Sequence, residues 1–166
     1  MRRVGRTRAW GRGLLATLAP ALPDIEERLA GCHAAEERLA HDLGRDAEAL
    51  SGYPHARRRV LGVAERARGR AQRLRRALEE LGHPPIVPAT RRGPREPRVW
   101  ARLHASISEL SRMSEECLGG AQAVERTHPS TARLLYELHR ETAGDRRDLI
   151  WTLAQLAGIE AETPSR

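Results

Sequence analysis

The sequence predicts an all-α protein: an antiparallel four-helix bundle made of two helical hairpins joined by a long crossover loop. Three observations carry this prediction. Ala, Leu, Arg and Glu dominate the chain and no segment alternates with period two, which is the composition and patterning of helices. Four segments repeat apolar residues at spacings of three and four, so each has one narrow apolar stripe. The links between the first and second segments and between the third and fourth are short, whereas sixteen residues join the second to the third. A link of that length stretches to about 50 Å, enough to cross a bundle of helices about 40 Å long.

Residues 1–22, MRRVGRTRAWGRGLLATLAPAL, hold five arginines and no acid and are assigned to a basic N-terminal arm. Basic and then apolar residues also describe a weak export signal, which leaves export through residues 1–22 open. The apolar part is short and contains Pro20, which favours an arm or a short amphipathic helix on Trp10, Leu14, Leu15 and Leu18. The bundle is assigned to 23–158. Its first helix starts at Pro23-Asp24, since proline and acids suit a helix N-terminus. It runs to about Leu50 on the stripe Ile25, Leu29, Cys32, Leu39, Leu43, Leu50. Ser51-Gly52-Tyr53-Pro54 stops and restarts the chain. The second helix runs from Pro54 to Leu81 on Val60, Val63, Ala67, Ala71, Leu74, Leu78 and Leu81, and ends at Gly82 with Pro84-Pro85 beyond. The crossover is HPPIVPATRRGPREPR. The third helix spans about 98–126 on Leu103, Ile107, Leu110, Cys117, Ala121 and Val124; His128-Pro129-Ser130 breaks it. The fourth spans about 130–157 on Leu135, Leu138, Leu149, Leu153 and Leu156, leaving a tail at 159–166.

No apolar run approaches the roughly 20 residues of a membrane span. The formal charge of +7 rests on 29 arginines with no lysine. Residues 24–50 carry eight acids and three arginines, and residues 54–82 carry nine arginines and three acids. These consecutive segments are expected to be antiparallel neighbours that answer each other's charge. What remains basic is the arm and the crossover, with Arg2, Arg3, Arg6, Arg8, Arg91, Arg92, Arg95 and Arg98, the residues of a nucleic-acid-associated alternative. No Gly-rich phosphate loop, no Cys-x-x-Cys and no placeable Ser, His and Asp set is present.

The chain contains a faint duplication. A shift of 75 residues lays the second helix on the fourth: Pro54 on Pro129, Val60 on Leu135, Val63 on Leu138, Gly69 on Gly144, Leu74 on Leu149 and Leu78 on Leu153. A shift of 78 lays Ile25 on Leu103, Leu29 on Ile107, Cys32 on Leu110 and Leu43 on Ala121.

Residues 54–85, PHARRRVLGVAERARGRAQRLRRALEELGHPP, and residues 129–156 resemble the second and fourth helices of the ferritin-like superfamily. The closest character is that of the small bacterial ferritin-like domains of the stress-associated and uncharacterised type. The resemblance covers about 24–157 and implies a ferritin-like bundle. It also implies a di-iron site in which two helices each supply a Glu and the other two each supply Glu-x-x-His. Here those slots fall at Glu36 and Ser114 on the first and third helices. They fall at Ala67 and Arg70 on the second, and at Thr142 and Asp145 on the fourth. Only Glu36 and Asp145 are ligand types, so the site is expected to be degenerate and free of metal, with iron or manganese as the alternative. Glu36, Arg70, Ser114, Thr142 and Asp145 are expected to be buried polar residues. Two accounts of Arg70 stand: a salt bridge to Asp145 or Glu36 in place of the metal, or a guanidinium tilted to the solvated flank.

Two Glu-x-x-His motifs survive elsewhere, Glu80 to His83 and Glu125 to His128, both at helix C-termini that ferritin-like wiring brings to one end of the bundle. They read as an adventitious metal site or as histidines meeting helix-end carbonyls. His33, Glu37 and His41 read as a solvated face. Cys32 precedes the Glu36 slot by four residues and Cys117 follows the Ser114 slot by three. On antiparallel helices the two thiols then stand at one height, either as a redox-sensitive pair or disulfide, or as small hydrophobes kept reduced in a cytoplasmic setting. Tyr136, Arg140 and Trp151 lie off the stripe of the fourth helix and suit an interface. The functional expectation is a non-catalytic binding or structural module, a homodimer or the partner of another protein. The enzymatic alternative is a divergent metal-binding ferritin-like oxidoreductase using Glu36, Asp145 and the helix-end histidines.

Overall fold

Each apolar stripe closes on the others to form four helices. These are α1 (Leu22–Ala49), α2 (Pro54–Glu80), α3 (Val99–Val124) and α4 (Pro129–Glu162). The computed structural model describes residues 22–83 and 98–162. The arm below residue 22, the crossover arginines Arg91, Arg92 and Arg95, and the last residues of the tail lie outside the described residues. The fourth helix continues past the boundary expected at 158, through Gly158 to Glu162.

Local chemistry sets the ends of α2. Pro54 occupies its first turn, where the missing N–H costs nothing. At the other end Gly82 takes φ +83°, which a residue without Cβ adopts freely. The Gly82 N–H then donates to the Glu79 carbonyl at 3.0 Å and the His83 N–H to the Leu78 carbonyl at 2.9 Å. This paired capping pattern satisfies helix-end carbonyls and ends the helix.

α1 packs on α2 and α3 packs on α4 as hairpins; the hairpins meet through α1 against α3 and α2 against α4. α1 and α4 therefore face across one diagonal, α2 and α3 across the other. Leu50, Val60, Leu103 and Leu156 share one core cluster, while Ile25, Leu78, Val124 and Leu135 share a second. The start of α3 thus lies at the end of the bundle where α1 stops, and α2 stops at the opposite end. The link between α2 and α3 joins opposite ends of the bundle, the wiring expected of a ferritin-like chain.

The stripe residues fill the core. Leu29, Leu43, Val60, Val63, Leu74, Leu103, Leu110, Leu138 and Leu149 are fully buried, each leucine or valine contributing about 1.5–3 kcal/mol by leaving water. Leu81, Ile107 and Leu153 are half-buried at its margin. The core is not continuous. Between its two apolar clusters lies a polar layer containing Glu36, Arg70, Ser114, Thr142 and Asp145, all buried.

The charge pattern resolves differently from the expectation. α2 does not answer its arginines chiefly on α1. Arg66 pairs with Asp145 and Asp148, and Arg73 with Glu141 and Glu137, all on α4. Among the described residues, the α2 arginine paired with an α1 acid is Arg70, on Glu36. α1 turns its acids to other partners: Asp46 pairs with Arg102 at 2.6 Å and Glu26 meets His83 at 2.9 Å, while the α1 base Arg38 lies 3.9 Å from Glu109 of α3. The segment totals missed this because residues 129–158, neutral overall, place Glu137, Glu141, Asp145 and Asp148 at helical spacing on the α2 side of α4. His33 also departs from expectation. It is buried, at 6% exposure, while Glu37 and His41 on the same stripe are exposed. Burial lowers the His33 pKa below its ordinary value.

Candidate functional site: a buried guanidinium in the polar layer

Arg70 is the largest fully buried side chain and is 0% exposed. Burying a charge of this size costs several kcal/mol unless charged hydrogen bonds replace its water. Here two carboxylates do so. Arg70 Nε donates to Glu36 Oε1 at 2.7 Å and Nη2 to Glu36 Oε2 at 3.1 Å, a bidentate fork onto α1. Arg70 Nη1 donates to Asp145 Oδ2 at 2.6 Å across to α4. Asp145 is completed by Arg66, whose Nε donates to Oδ1 at 2.6 Å and whose Nη2 donates to Asp148 at 2.6 Å. One guanidinium therefore ties three helices together, and Arg66 carries the network to the surface.

The two accounts of Arg70 are thereby separated. The guanidinium points inward and holds both carboxylates. Burial pushes the Glu36 carboxyl above its ordinary range, opposed by the hydrogen bonds and charge of Arg70. The same two carboxylates hold Arg70 in its charged form against the burial that opposes it. The remaining slots are filled by residues that cannot ligate iron strongly. Ser114 Oγ lies 2.8 Å from His139 Nδ1, which also donates to the Ser114 carbonyl at 2.9 Å. Thr142 Oγ1 is buried with no hydrogen-bond partner among the described residues, and Ala67 is apolar. Two carboxylates bridged by a guanidinium, with no imidazole at the other expected slots, do not fit a pair of iron ions.

The helix-end motifs do not assemble either. His83 turns to Glu26 on α1 at 2.9 Å rather than to Glu80, and His128 Nδ1 is buried without a partner among the described residues. Among the described residues no three His, Cys, Asp or Glu side chains are grouped to hold a metal. Cys32 and Cys117 are free thiols, both buried, on α1 and α3. The two thiols interact with each other, which lowers the Cys32 pKa and, together with burial, raises that of Cys117. Tyr136, Arg140 and Trp151 do not form one patch. Tyr136 and Arg140 line a groove with Glu125, Arg133 and Glu137, whereas Trp151 lines a separate cleft against α2.

Arg66, Asp148 and His139 were not singled out by sequence reasoning. A register argument finds the first two. If Arg70 faces Asp145 on an antiparallel helix, one turn back on α2 meets one turn forward on α4, so Arg66 meets Asp148.

The fold is that of the ferritin-like four-helix bundles. The chain is similar to the dodecameric thioferritin of Bacteroides fragilis, a bacterioferritin-related protein. The TM-score is 0.74 at 15% identity, over 92% of this chain and 96% of that one. It is similar also to the protein XCC3681 of Xanthomonas campestris pv. campestris, with a TM-score of 0.72 at 16% identity over 84% and 94% of the two chains. No protein-family model matches the sequence, nor does any curated protein.

The buried network gives two stability predictions. Arg70→Met strands two buried carboxylates and is expected to cost about 3–5 kcal/mol, whereas Glu36→Leu, Arg70→Met and Asp145→Leu together recover most of that loss. Urea unfolding of the single and triple variants checks this, and equal losses would contradict it. The raised Glu36 pKa sets the pH dependence. Its contribution to stability is fully present below the unfolded value of 4.5 and is lost as pH rises through the folded value. The stability of wild type relative to Glu36→Gln is therefore expected to increase as pH falls from neutrality toward 4.5, measured by urea midpoints.

Proposed function

We propose that this chain is a metal-free ferritin-like bundle whose role is non-catalytic association, with copies of itself or with a protein partner. One observation carries the reading. The centre of the polar layer is taken up by a guanidinium that satisfies the two carboxylates there, so the layer works as a cross-brace between helices. Two further facts support association. The similar Bacteroides fragilis protein is a dodecamer. The groove of Tyr136 and Arg140 mixes Glu125 and Glu137 with Arg133 and Arg140, and a surface with both signs can complement itself under two-fold symmetry. Free buried thiols suit a reducing, cytoplasmic setting.

Two measurements test this. Elemental mass spectrometry on protein expressed with added iron and manganese is expected to find no stoichiometric metal. Stoichiometric iron lost on Glu36→Ala would overturn the reading in favour of the oxidoreductase. Sedimentation velocity is expected to show a species larger than one chain, shifted toward the monomer by Arg140→Glu and unmoved by Trp151→Glu. A monomer throughout would leave self-association without support and contradict this part of the proposal.

A further inference from the structure

A second polar site lies away from the core, on the α2–α4 face. Arg58, Arg59, Arg66 and Arg147 converge with Asp148 and Trp151 on an open cleft of about 470 Å³. Arg66 is neutralised by Asp145 and Asp148, each at 2.6 Å. Arg58, Arg59 and Arg147 have no carboxylate partner among the described residues. The Arg59 guanidinium lies 3.8 Å from the centroid of the Trp151 ring. Trp151 is nonetheless 50% exposed, and its neighbour Ile150 is 45% exposed.

Three like charges around one cleft repel each other, and an anion seated between them turns that repulsion into attraction. An anion alone accounts for the arginines and leaves the exposed indole unused. A phosphodiester carrying a flat base uses both, since arginines take phosphate oxygens and a base stacks on the ring. Arg59 lies over the indole, and half of the Trp151 surface remains exposed to receive a base, an arrangement that cation–π attraction reinforces. A duplex keeps its bases stacked inside and cannot offer one to a side cleft. An acidic peptide answers the charge and brings no ring. We infer that the α2–α4 cleft binds single-stranded nucleic acid, with phosphates on Arg58 and Arg147 and a base against Trp151. Stacking accepts any base, so binding is sequence-tolerant. The site is distinct from the arginines of the arm and crossover, and it is independent of the metal-free association proposed above.

The test is fluorescence anisotropy of labelled oligo(dT) with the full chain at several salt concentrations. Trp151→Ala is expected to weaken binding by about tenfold or more. Arg58→Gln with Arg147→Gln is expected to lower the slope of log affinity against log salt by about 0.7 for each arginine removed. Both substitutions are at exposed positions, and unchanged circular dichroism separates lost binding from lost folding. Competition discriminates the occupants: unlabelled oligo(dT) displaces the probe, and polyglutamate or duplex of the same charge displaces it poorly. Four results would overturn the assignment: no binding at low salt, full binding by the cleft variants, equal competition by polyglutamate or duplex, or loss of binding only when residues 1–21 are removed.

Discussion

The constraint on which the bundle depends is a single charged side chain with nowhere to go but another charge. Arg70 is fully enclosed and cannot shed its proton, so the layer around it must supply anions with good geometry. It does so from two helices on opposite sides, Glu36 on α1 and Asp145 on α4, which otherwise sit across a diagonal of the bundle. Apolar packing holds adjacent helices together; the guanidinium joins a diagonal pair. It also penalises any slip of α2 by one turn, because a slip would bury an unpaired charge. A buried ion network of this kind adds little net stability and instead selects one arrangement over its neighbours.

Much of this was legible in the sequence, and the residues show why. Stripes such as Val60, Val63, Leu74 and Leu78 are read from spacing alone, since helical period leaves few alternatives. The unequal link lengths predicted the two hairpins and the crossing link. Even the polar layer could be placed, because the faint duplication aligns Arg70 with Asp145 and those repeat-related positions meet face to face. What stayed illegible is what depends on helix rotation and on which helices share an edge. The choice of Arg70 between Glu36 and Asp145 was one such question, and the answer is both. The pairing of α2 with α4 was another. Net charge per segment hides which face the acids occupy, and α4 balances its acidic side with arginines on others. His33 was misread for the same reason: its stripe touches the rim of the packed face of α1, and only one of three members is covered.

The surface divides by sign. Around Tyr136 and Arg140 acids and arginines alternate, and Arg133 meets Glu137 at 3.2 Å. Around Trp151 arginine prevails. The two grooves lie on the same helix yet suit different company, one a complementary protein surface and the other a polyanion. Arg66 links the second groove to the core, because the same Asp145 that receives Arg66 also receives Arg70. A four-helix scaffold supports many activities, so the chemistry of these particular surfaces, more than the fold, carries the functional argument.

The central claim is that a charged, immobile guanidinium occupies the middle of the bundle. Nitrogen-15 NMR of arginine side chains tests it most directly, with Arg70→Met used to assign the resonance. A guanidinium held at three nitrogens cannot rotate freely and exchanges its protons slowly. The account predicts one arginine, among 29, whose Nε and Nη protons are individually resolved and protected near neutral pH and disappear in the variant. If every Nη signal is averaged by fast rotation and exchange, Arg70 is solvated, and the brace described here does not exist.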